Sequence, residues 1–244
     1  FVKKMNEKAQ ELDMKNSLFR NPHGLDQEDG GNISTAYDMA KLTSYAMKNK
    51  NFKKIVATEK YTLKTNKNTY VWHNKNKLLY RYKYTTGGKT GFTKIARRTL
   101  VTTASKNNLN LVVVTLNDGN DFTDHENLFE YAFNNYTNYK ILSKGFIKIK
   151  KENYYKKHKL YIKNDYSYPL SIDEKDSIRI KYQLKKIRKL KNNSKVGTAK
   201  IYFGDKLVHE ENIRLVLDDK QNMGFFHHNR KCFLPFNKQS RCIK

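Results

Sequence analysis

The chain carries one short pattern whose residue types could bind an anion: Gly88-Lys89-Thr90, within TTGGKTGFTKIARR at residues 85–98. The same three letters end a phosphate-binding loop, G-x-x-x-x-G-K-[ST], in which backbone amides wrap the phosphates from an early glycine onward. Lys83 stands where that early glycine is required. The residues that follow, Phe92–Thr103, favour a strand rather than the helix that a phosphate-binding lysine opens. We therefore predict that Lys89 serves other chemistry.

A second group of reactive side chains lies near the end of the chain. Both cysteines, Cys232 and Cys242, fall there, close to His227 and His228. Zinc sites space their ligands as close pairs such as C-x2-4-C, and this group matches no such pattern. We expect neither a metal nor a cofactor.

Composition indicates a folded protein with a strongly basic surface. The chain has 244 residues, 38% hydrophobic and 13% aromatic, with a formal net charge of +26. Its lysines are spread along the whole length, which is typical of a solvated surface. A face that attracts anionic cell-wall polymer or lipid is the next interpretation. No signature of an RNA-binding domain, a zinc finger or a basic heptad region is present, so we expect no nucleic-acid partner.

The elements that must position Lys89 belong to a first zone, residues 1–139. Apolar spacing predicts a helix to about Asp13, and a second that starts near Ser34 or Thr35, both good N-caps. Strand-like pieces follow from KYTLKT to NLVVVTLND, and KNNLN predicts a hairpin turn between the last two. A final helix is predicted from about Phe122 to Tyr139. Helices flanking an antiparallel sheet give an α+β layer.

The chain changes character after this zone. Residues 140–219 contain short alternating segments, among them HKLYIKN, SIRIKYQL, VGTAKIYFGDKLV and NIRLVLD. Such strands with turn residues between them predict a small all-β sandwich domain. Residues 220–244 form a basic tail with aromatic residues, in which Pro235 interrupts any amphipathic helix. We interpret this tail as a degenerate membrane anchor.

The first zone resembles the serine D-alanyl-D-alanine carboxypeptidases, which are low-molecular-weight penicillin-binding proteins with the penicillin-recognising fold. The matching stretches occur in the family's order: FVKKMNEKAQEL, FRNPHGLD, STAYDMAKLTSYAM, NKNKLL, GGKTGFTKIARRTLVTTA, LVVVTLND and DHENLFEYAF. The second zone resembles the β-sandwich that follows the catalytic domain in many members. Together the resemblance covers nearly all of residues 1–220.

The family uses three motifs, and only one is present. Lys89-Thr90-Gly91 is the K-T-G motif, on a strand that lines the cleft. No serine in residues 1–244 is followed by a lysine three positions later, as S-x-x-K requires. Ser105-Lys106-Asn107 spells S-x-N, but it follows K-T-G, whereas the family places it before. The resemblance therefore implies the carboxyl-terminal portion of such an enzyme, without catalytic residues of its own and with both motifs expected upstream of Phe1.

The resemblance implies a substrate-binding role for five residues. Lys89 and Thr90 would bind the free carboxylate of D-Ala-D-Ala, and Gly91 would leave room for substrate against the strand. Lys75, in NKNKLL, stands where many members have an arginine near that carboxylate, and it keeps the charge without the bidentate geometry. His125 lies near a second arginine position of some members, and a capping or surface role is the alternative.

The implied activity is D-alanyl-D-alanine carboxypeptidase action on peptidoglycan stem peptides, through a serine acyl-enzyme. The complete enzyme would also bind β-lactams and would act outside the cytoplasmic membrane, associated with its outer face. The alternative is a non-catalytic module, derived from this family, that holds the cell wall or an anionic polymer through its basic surface.

Overall fold

The computed structural model describes residues 1–28, 30–150 and 152–217. The chain forms two compact units. One contains Phe1–Lys140 together with Ser167–Lys175, and the other contains Ile141–Tyr166 together with the described chain from Asp176 onward. The sequence predicts a division between residues 139 and 140, without the later segment that joins the first unit. The predicted tail, residues 220–244, lies outside the described residues.

The first unit contains both helices and strands. In chain order they are α1 (Val2–Glu11), α2 (Ala36–Ala46), α3 (Lys50–Val56), β1 (Lys60–Lys64), β2 (Thr69–His73), α4 (Leu78–Arg81), β3 (Thr85–Thr93), β4 (Arg97–Lys106), β5 (Leu109–Leu116) and α5 (Asp121–Asn135). Strands β1 and β2 pair as a separate hairpin. The remaining three strands form an antiparallel sheet in the order β3-β4-β5. No helix follows Lys89, as its sequence context predicts.

Local sequence signals explain where several elements begin and turn. Thr35 caps α2, because its side chain accepts a hydrogen bond of 3.2 Å from the amide of Asp38. Asn107 and Asn108 have φ angles of 51° and 63° and form the two-residue turn between β4 and β5. Asparagine tolerates this left-handed conformation better than most residues, and tight hairpins require it. Both predictions are confirmed.

The end of α5 differs from the prediction. The helix ends at Asn135, and Tyr136 is extended with φ −121° and ψ 142°. Residues predicted as its last turn instead begin β6 (Thr137–Leu142). The segment is rich in aromatic and β-branched residues, which favour a strand once a partner strand is available. That partner is β9 (Tyr166–Leu170), which forms a two-stranded sheet with β6.

Helices cover the three-stranded sheet of the first unit, which confirms the predicted helices against an antiparallel sheet. Helix α5 packs on β4 and β5. Its Phe129 is fully buried and stacks near Tyr82 and Phe133, with ring centroids 5.8 and 6.3 Å away. Helix α3 packs on β3, and α2 packs on β4 and β5. These contacts fix the strand that carries Lys89.

The second unit is built of strands, as predicted. They are β7 (Gly145–Ile147), β8 (Lys159–Ile162), β10 (Ile178–Leu184), β11 (Lys195–Phe203) and β12 (Lys206–Val216), in the order β10-β11-β12-β8-β7. Each pair in this sheet is antiparallel. Gly204, at φ 57°, turns β11 into β12. The sequence predicts separate strands in VGTAKIYFGDKLV and NIRLVLD, whereas β12 is one continuous strand. The pairing of β11 with β12 shifts register at a bulge between Ile201 and Tyr202.

Candidate substrate-binding strand

Strand β3 carries Lys89, Thr90 and Gly91 and lies at an edge of its sheet in the described structure. Lys89 is exposed, and its Nζ donates a hydrogen bond to the carbonyl oxygen of Thr90. Side chains alternate along a strand, so Lys89 and Gly91 lie on one face and Thr90 lies on the other. An anion that contacts both polar side chains must therefore lie along the strand edge.

Lys89 has an uncompensated charge at this edge. No acidic side chain among residues 1–28, 30–150 and 152–217 forms an ion pair with it. By contrast, Arg98 on the neighbouring strand β4 is held by Asp121 at 2.6 Å. An ammonium without an internal carboxylate is available to bind an external one.

Two glycines let other segments pack against β3 just before the site lysine. A Cβ atom on Gly88 would lie 2.4 Å from the carbonyl oxygen of Val101 and 3.0 Å from Nδ2 of Asn76. A Cβ atom on Gly87 would lie 2.6 Å from Cγ2 of Val56, at the end of α3. Real Cβ atoms do not approach other atoms so closely, so these positions require glycine. The backbone before Lys89 is therefore held by α3 and by the segment that contains Asn76.

Packing against β4 also explains why position 91 is a glycine. A Cβ atom there would lie 2.4 Å from Oγ1 of Thr99, the residue opposite it on β4. The absence of a side chain at Gly91 therefore accommodates Thr99. A role for Gly91 in admitting substrate remains a prediction.

Lys75 lies in the short segment between β2 and α4, and its side chain is exposed. Anchored asparagines flank it. Asn74 donates from Nδ2 to the carbonyl of Thr58 at 3.0 Å and accepts from the amide of Asn76 at 2.9 Å. Asn76 is fully buried, and its Oδ1 accepts from the amide of Leu78 at 3.2 Å. Lys75 is thus held on the segment that reaches β3 at Gly88, and its contact with substrate remains a prediction.

The structure does not bring His125 to the surface with Lys89. The imidazole is fully buried: Nδ1 lies 2.5 Å from Oγ1 of Thr102, and Nε2 lies 3.1 Å from Oγ1 of Thr115. Burial, partly opposed by Asp121 and Asp118, lowers the pKa of His125 to about 4, so the ring is neutral at pH 7. The predicted contact with a substrate carboxylate is therefore replaced by a structural role. His125 ties α5 to β4 and β5.

Two features near β3 are not predicted from the sequence. The first is Asn76, whose Nδ2 is buried and has no hydrogen-bond partner among the described residues. The second is the ion pair of Arg98 with Asp121, in which Arg98 also lies over the ring of Phe122 at 5.5 Å. The repeated asparagines of NKNKLL could have indicated the role of Asn76, and an aspartate at the start of a helix could have indicated the ion pair. Arg97, in contrast, is exposed.

No group of three or more His, Cys, Asp or Glu side chains could hold a metal ion within the ranges that the structure describes. The candidate ligands His227, His228, Cys232 and Cys242 lie outside those ranges. None of the described helices combines the length and apolar character that crossing a bilayer requires.

Comparison with known proteins identifies both units. Residues 1–120 match the family model described as D-alanyl-D-alanine carboxypeptidase, and residues 136–221 match that of the penicillin-binding protein 5 C-terminal domain. An edge strand with an exposed K-T-G lysine, packed on helices and followed by an all-β unit, fits this class of penicillin-binding proteins. Residues 1–120 therefore form a D-alanyl-D-alanine carboxypeptidase domain, and residues 136–221 form a penicillin-binding protein 5 C-terminal domain.

Curated relatives agree with this assignment. D-alanyl-D-alanine carboxypeptidase DacF of Bacillus subtilis is 40% identical over 115 residues, which are 47% of this chain and 29% of the relative. DacB2 of Mycobacterium tuberculosis is 35% identical over 115 residues, or 47% of this chain and 40% of the relative. The chain therefore spans less than half the length of these relatives.

Solved structures show the same fold. Penicillin binding protein 5 from Haemophilus influenzae superposes with a TM-score of 0.65 at 24% identity, over 89% of this chain and 65% of that one. The D-alanyl-D-alanine carboxypeptidase of Mycobacterium tuberculosis gives a TM-score of 0.51 at 31% identity, over 55% of this chain and 53% of that one.

Proposed function

We propose that the first unit forms the substrate-binding part of a serine-type enzyme that removes the terminal D-alanine from D-Ala-D-Ala stem peptides of peptidoglycan. The observation that carries this proposal is Lys89. It is an exposed ammonium without an acidic partner in the described structure, on an edge strand within the segment that matches the family. A free terminal carboxylate is the chemical feature that such a group recognises.

The proposed roles follow from the geometry of β3. Lys89 binds the substrate carboxylate at the strand edge, and the hydroxyl of Thr90 donates a hydrogen bond to it. One edge of β3 pairs with no other strand among the described residues, and it can add the extended stem peptide as a further strand. Lys75 contributes a second positive charge from the segment anchored at Gly88.

The chemical step is acyl transfer. A serine hydroxyl attacks the carbonyl carbon of the penultimate D-alanine, its proton passes to the leaving amine, and D-alanine departs. Water then hydrolyses the resulting ester and restores the serine. The serine belongs to an S-x-x-K motif, which is not found in residues 1–244. The enzyme as proposed needs no cofactor.

The test measures D-alanine release by a protein in which residues 1–244 follow a segment that carries both serine motifs, such as that of DacF. We expect Lys89→Ala to lower kcat/KM about 100-fold, because removing one partner of a desolvated charge pair costs about 3 kcal/mol. Lys89→Arg should also be poor, since a planar guanidinium does not replace a compact ammonium. Lys4→Ala, at an exposed position on α1, is the matched control. Unchanged kcat/KM in Lys89→Ala would contradict the proposal.

A second function is favoured by the net charge of +26. The chain would then be a non-catalytic module that holds the cell wall or an anionic polymer. Such a module sediments with purified peptidoglycan in a salt-dependent manner and forms no covalent adduct with fluorescent penicillin. A covalent adduct of the 244-residue chain would instead show that another of its serines acts as a nucleophile.

The proposed location is outside the cytoplasmic membrane, in association with its outer face, where peptidoglycan is exposed. In the complete enzyme β-lactams would acylate the same serine, because they present a strained carbonyl in place of the D-Ala-D-Ala bond. The support is the match of residues 1–120 to the carboxypeptidase family model and the similarity to solved penicillin-binding proteins. Trimming stem peptides in this way would affect cross-linking and cell shape.

A further inference from the structure

The β1–β2 hairpin has an aromatic face that the activity proposed above does not use. Tyr61 pairs with Trp72 and Leu63 pairs with Tyr70, so these four side chains lie on one face. The ring of Trp72 is nearly parallel to that of Tyr70, at 7° with centroids 5.6 Å apart, and to that of Tyr61, at 19° and 6.1 Å. All four side chains are exposed, and Trp72 is 50% accessible. Large rings left in water on one face indicate a binding surface.

A cavity of about 790 Å³ lies between this hairpin and α3. Tyr61, Trp72 and Ile55 provide apolar walls. Asn51 and Thr58 add polar groups, and the side chain of Asn51 is exposed. This volume is in the range of small-molecule sites, and an apolar wall with a few polar groups is their usual composition.

The charges in the cavity favour a neutral ligand. Lys54 and Glu59 are its basic and acidic residues, and they carry opposite charges, while His73 is exposed. In a chain of net charge +26, a balanced cavity is unsuited to a phosphate or a nucleic acid. The faces of aromatic rings carry partial negative charge and attract the C–H groups of a sugar ring, while amides bind its polar substituents.

Both walls of the cavity are attached to β3 just before Lys89. Helix α3 reaches the strand where Val56 contacts the position of Gly87. The hairpin continues into the segment whose Asn76 lies beside Gly88. A peptide spans at most about 3.6 Å per residue, so a short stem peptide bound at Lys89 keeps the sugar that bears it near the same unit.

We propose that the aromatic face and the cavity bind an N-acetylated amino sugar of a peptidoglycan glycan strand. Tyr61 and Trp72 pack against the sugar ring, and Asn51 hydrogen-bonds the acetamido group. The inference rests on the proposed function for its choice of polymer. It gives the first unit a second contact with substrate, which selects stem peptides attached to glycan over free peptides.

The experiment titrates the 244-residue chain with chitotetraose, a soluble oligomer of N-acetylglucosamine. Trp72 is the single tryptophan of the chain, so its fluorescence reports directly on the site. We expect a saturable change in emission, and heat of binding by calorimetry. Tyr61→Ala and Trp72→Ala should weaken binding about tenfold or more, whereas Trp72→Phe should retain it within about threefold. Tyr131→Ala removes a ring of 62% exposure on α5 and is the matched control.

Three outcomes would overturn the inference. They are the absence of saturable binding, equal weakening by Tyr131→Ala, and a Trp72 response to phosphatidylglycerol vesicles but not to chitotetraose, which would assign the face to a membrane. Circular dichroism of each variant identifies any loss of folding, and the Trp72→Phe result remains decisive if Trp72→Ala does not fold. Sugar binding needs no serine nucleophile, so its failure and a failure of the Lys89 test are separate results.

Discussion

The two units of the molecule bury different kinds of side chain. In the second unit a continuous apolar cluster fills the interior: Leu142, Tyr155, Leu160, Ile162, Val196, Ala199, Ile201, Ile213 and Leu215. The first unit buries many polar side chains, among them Asn21, Asp38, Asn76, Thr102, Asp121 and His125. Of the buried polar residues in the described ranges, Glu211 is the one that belongs to the second unit.

These two kinds of burial have different effects, because one stabilises the fold and the other positions individual groups. Apolar burial is non-directional, and it stabilises a fold without fixing the angle of any one group. Buried polar groups fix geometry because each must meet its hydrogen-bond partners. Asp38, for example, accepts from the amide of Asn16 at 2.9 Å and from the hydroxyl of Ser17 at 2.8 Å. The unit that carries Lys89 is therefore the one in which buried hydrogen bonds fix the positions of side chains.

The largest expected effect lies in the second unit. Ile213→Ala removes a fully buried side chain on β12, opposite Ile162 on β8. A cavity of this kind costs about 2–5 kcal/mol of the free energy of unfolding. Hydrogen exchange of amides in β11 and β12, measured at increasing urea concentration, would report the loss.

The same experiment tests whether the cores of the two units are independent. Amides of β4 and β5 in the first unit should keep their protection in Ile213→Ala, because their core contains none of the lost contacts. Equal loss in both sets of amides would show that the two units unfold as one and do not differ in the way their cores suggest.

The next effect is a pH dependence confined to the first unit. The pKa of His125 is lowered to about 4, so between roughly pH 6.5 and pH 4 the unfolded chain binds the proton that the folded chain excludes. Stability is therefore complete above pH 6.5 and falls with decreasing pH, by up to about 3 kcal/mol. Urea denaturation at pH 7 and at pH 4.5, with exchange of β4 and β5 amides as the readout, measures the fall.

His125→Gln provides the matched control, since glutamine keeps a donor and an acceptor but does not titrate in this range. The variant should be less stable at pH 7 and should lose less stability on acidification than the parent protein. Parallel pH profiles for the two proteins would show that carboxylates, rather than His125, govern acid unfolding of the first unit.

The smallest effect concerns a single cap. Thr35→Ala removes the hydroxyl that accepts from the amide of Asp38 at the start of α2. We expect a loss of about 1 kcal/mol in the first unit and none in the second. Thr35→Ser keeps the acceptor and should retain most of the stability. A loss above about 3 kcal/mol would mean that Thr35 belongs to the buried polar network as well as to the cap.

Features that depend on neighbours in sequence could be predicted. The strand around Lys89, the cap at Thr35 and the turn at Asn107 and Asn108 each follow from residue types within a few positions. Their conformations are set by local sterics and hydrogen bonds, which depend on the residue types at these positions. The exposed K-T-G lysine follows from the same local information together with the family resemblance.

Features that depend on distant partners could not be predicted. His125 reads as a polar residue in the first turn of a helix, and its burial depends on Thr102 and Thr115, which come from two different strands. Helix α5 ends early because Tyr166–Leu170 supplies a strand for the residues that follow it. In each case a tertiary contact overrides a local preference.

The assignment of residues 167–175 to the first unit has a consequence for synthesis on the ribosome. The chain leaves the first unit at residue 140 and returns to it only at residue 167. At about 5–20 residues per second, the 35 residues from 141 to 175 take roughly 2–7 s to emerge, so the first unit waits that long for its last segment. Until residues 166–170 have been translated, β6 has no partner strand, and a nascent chain stalled before residue 167 would expose an open strand edge to chaperones.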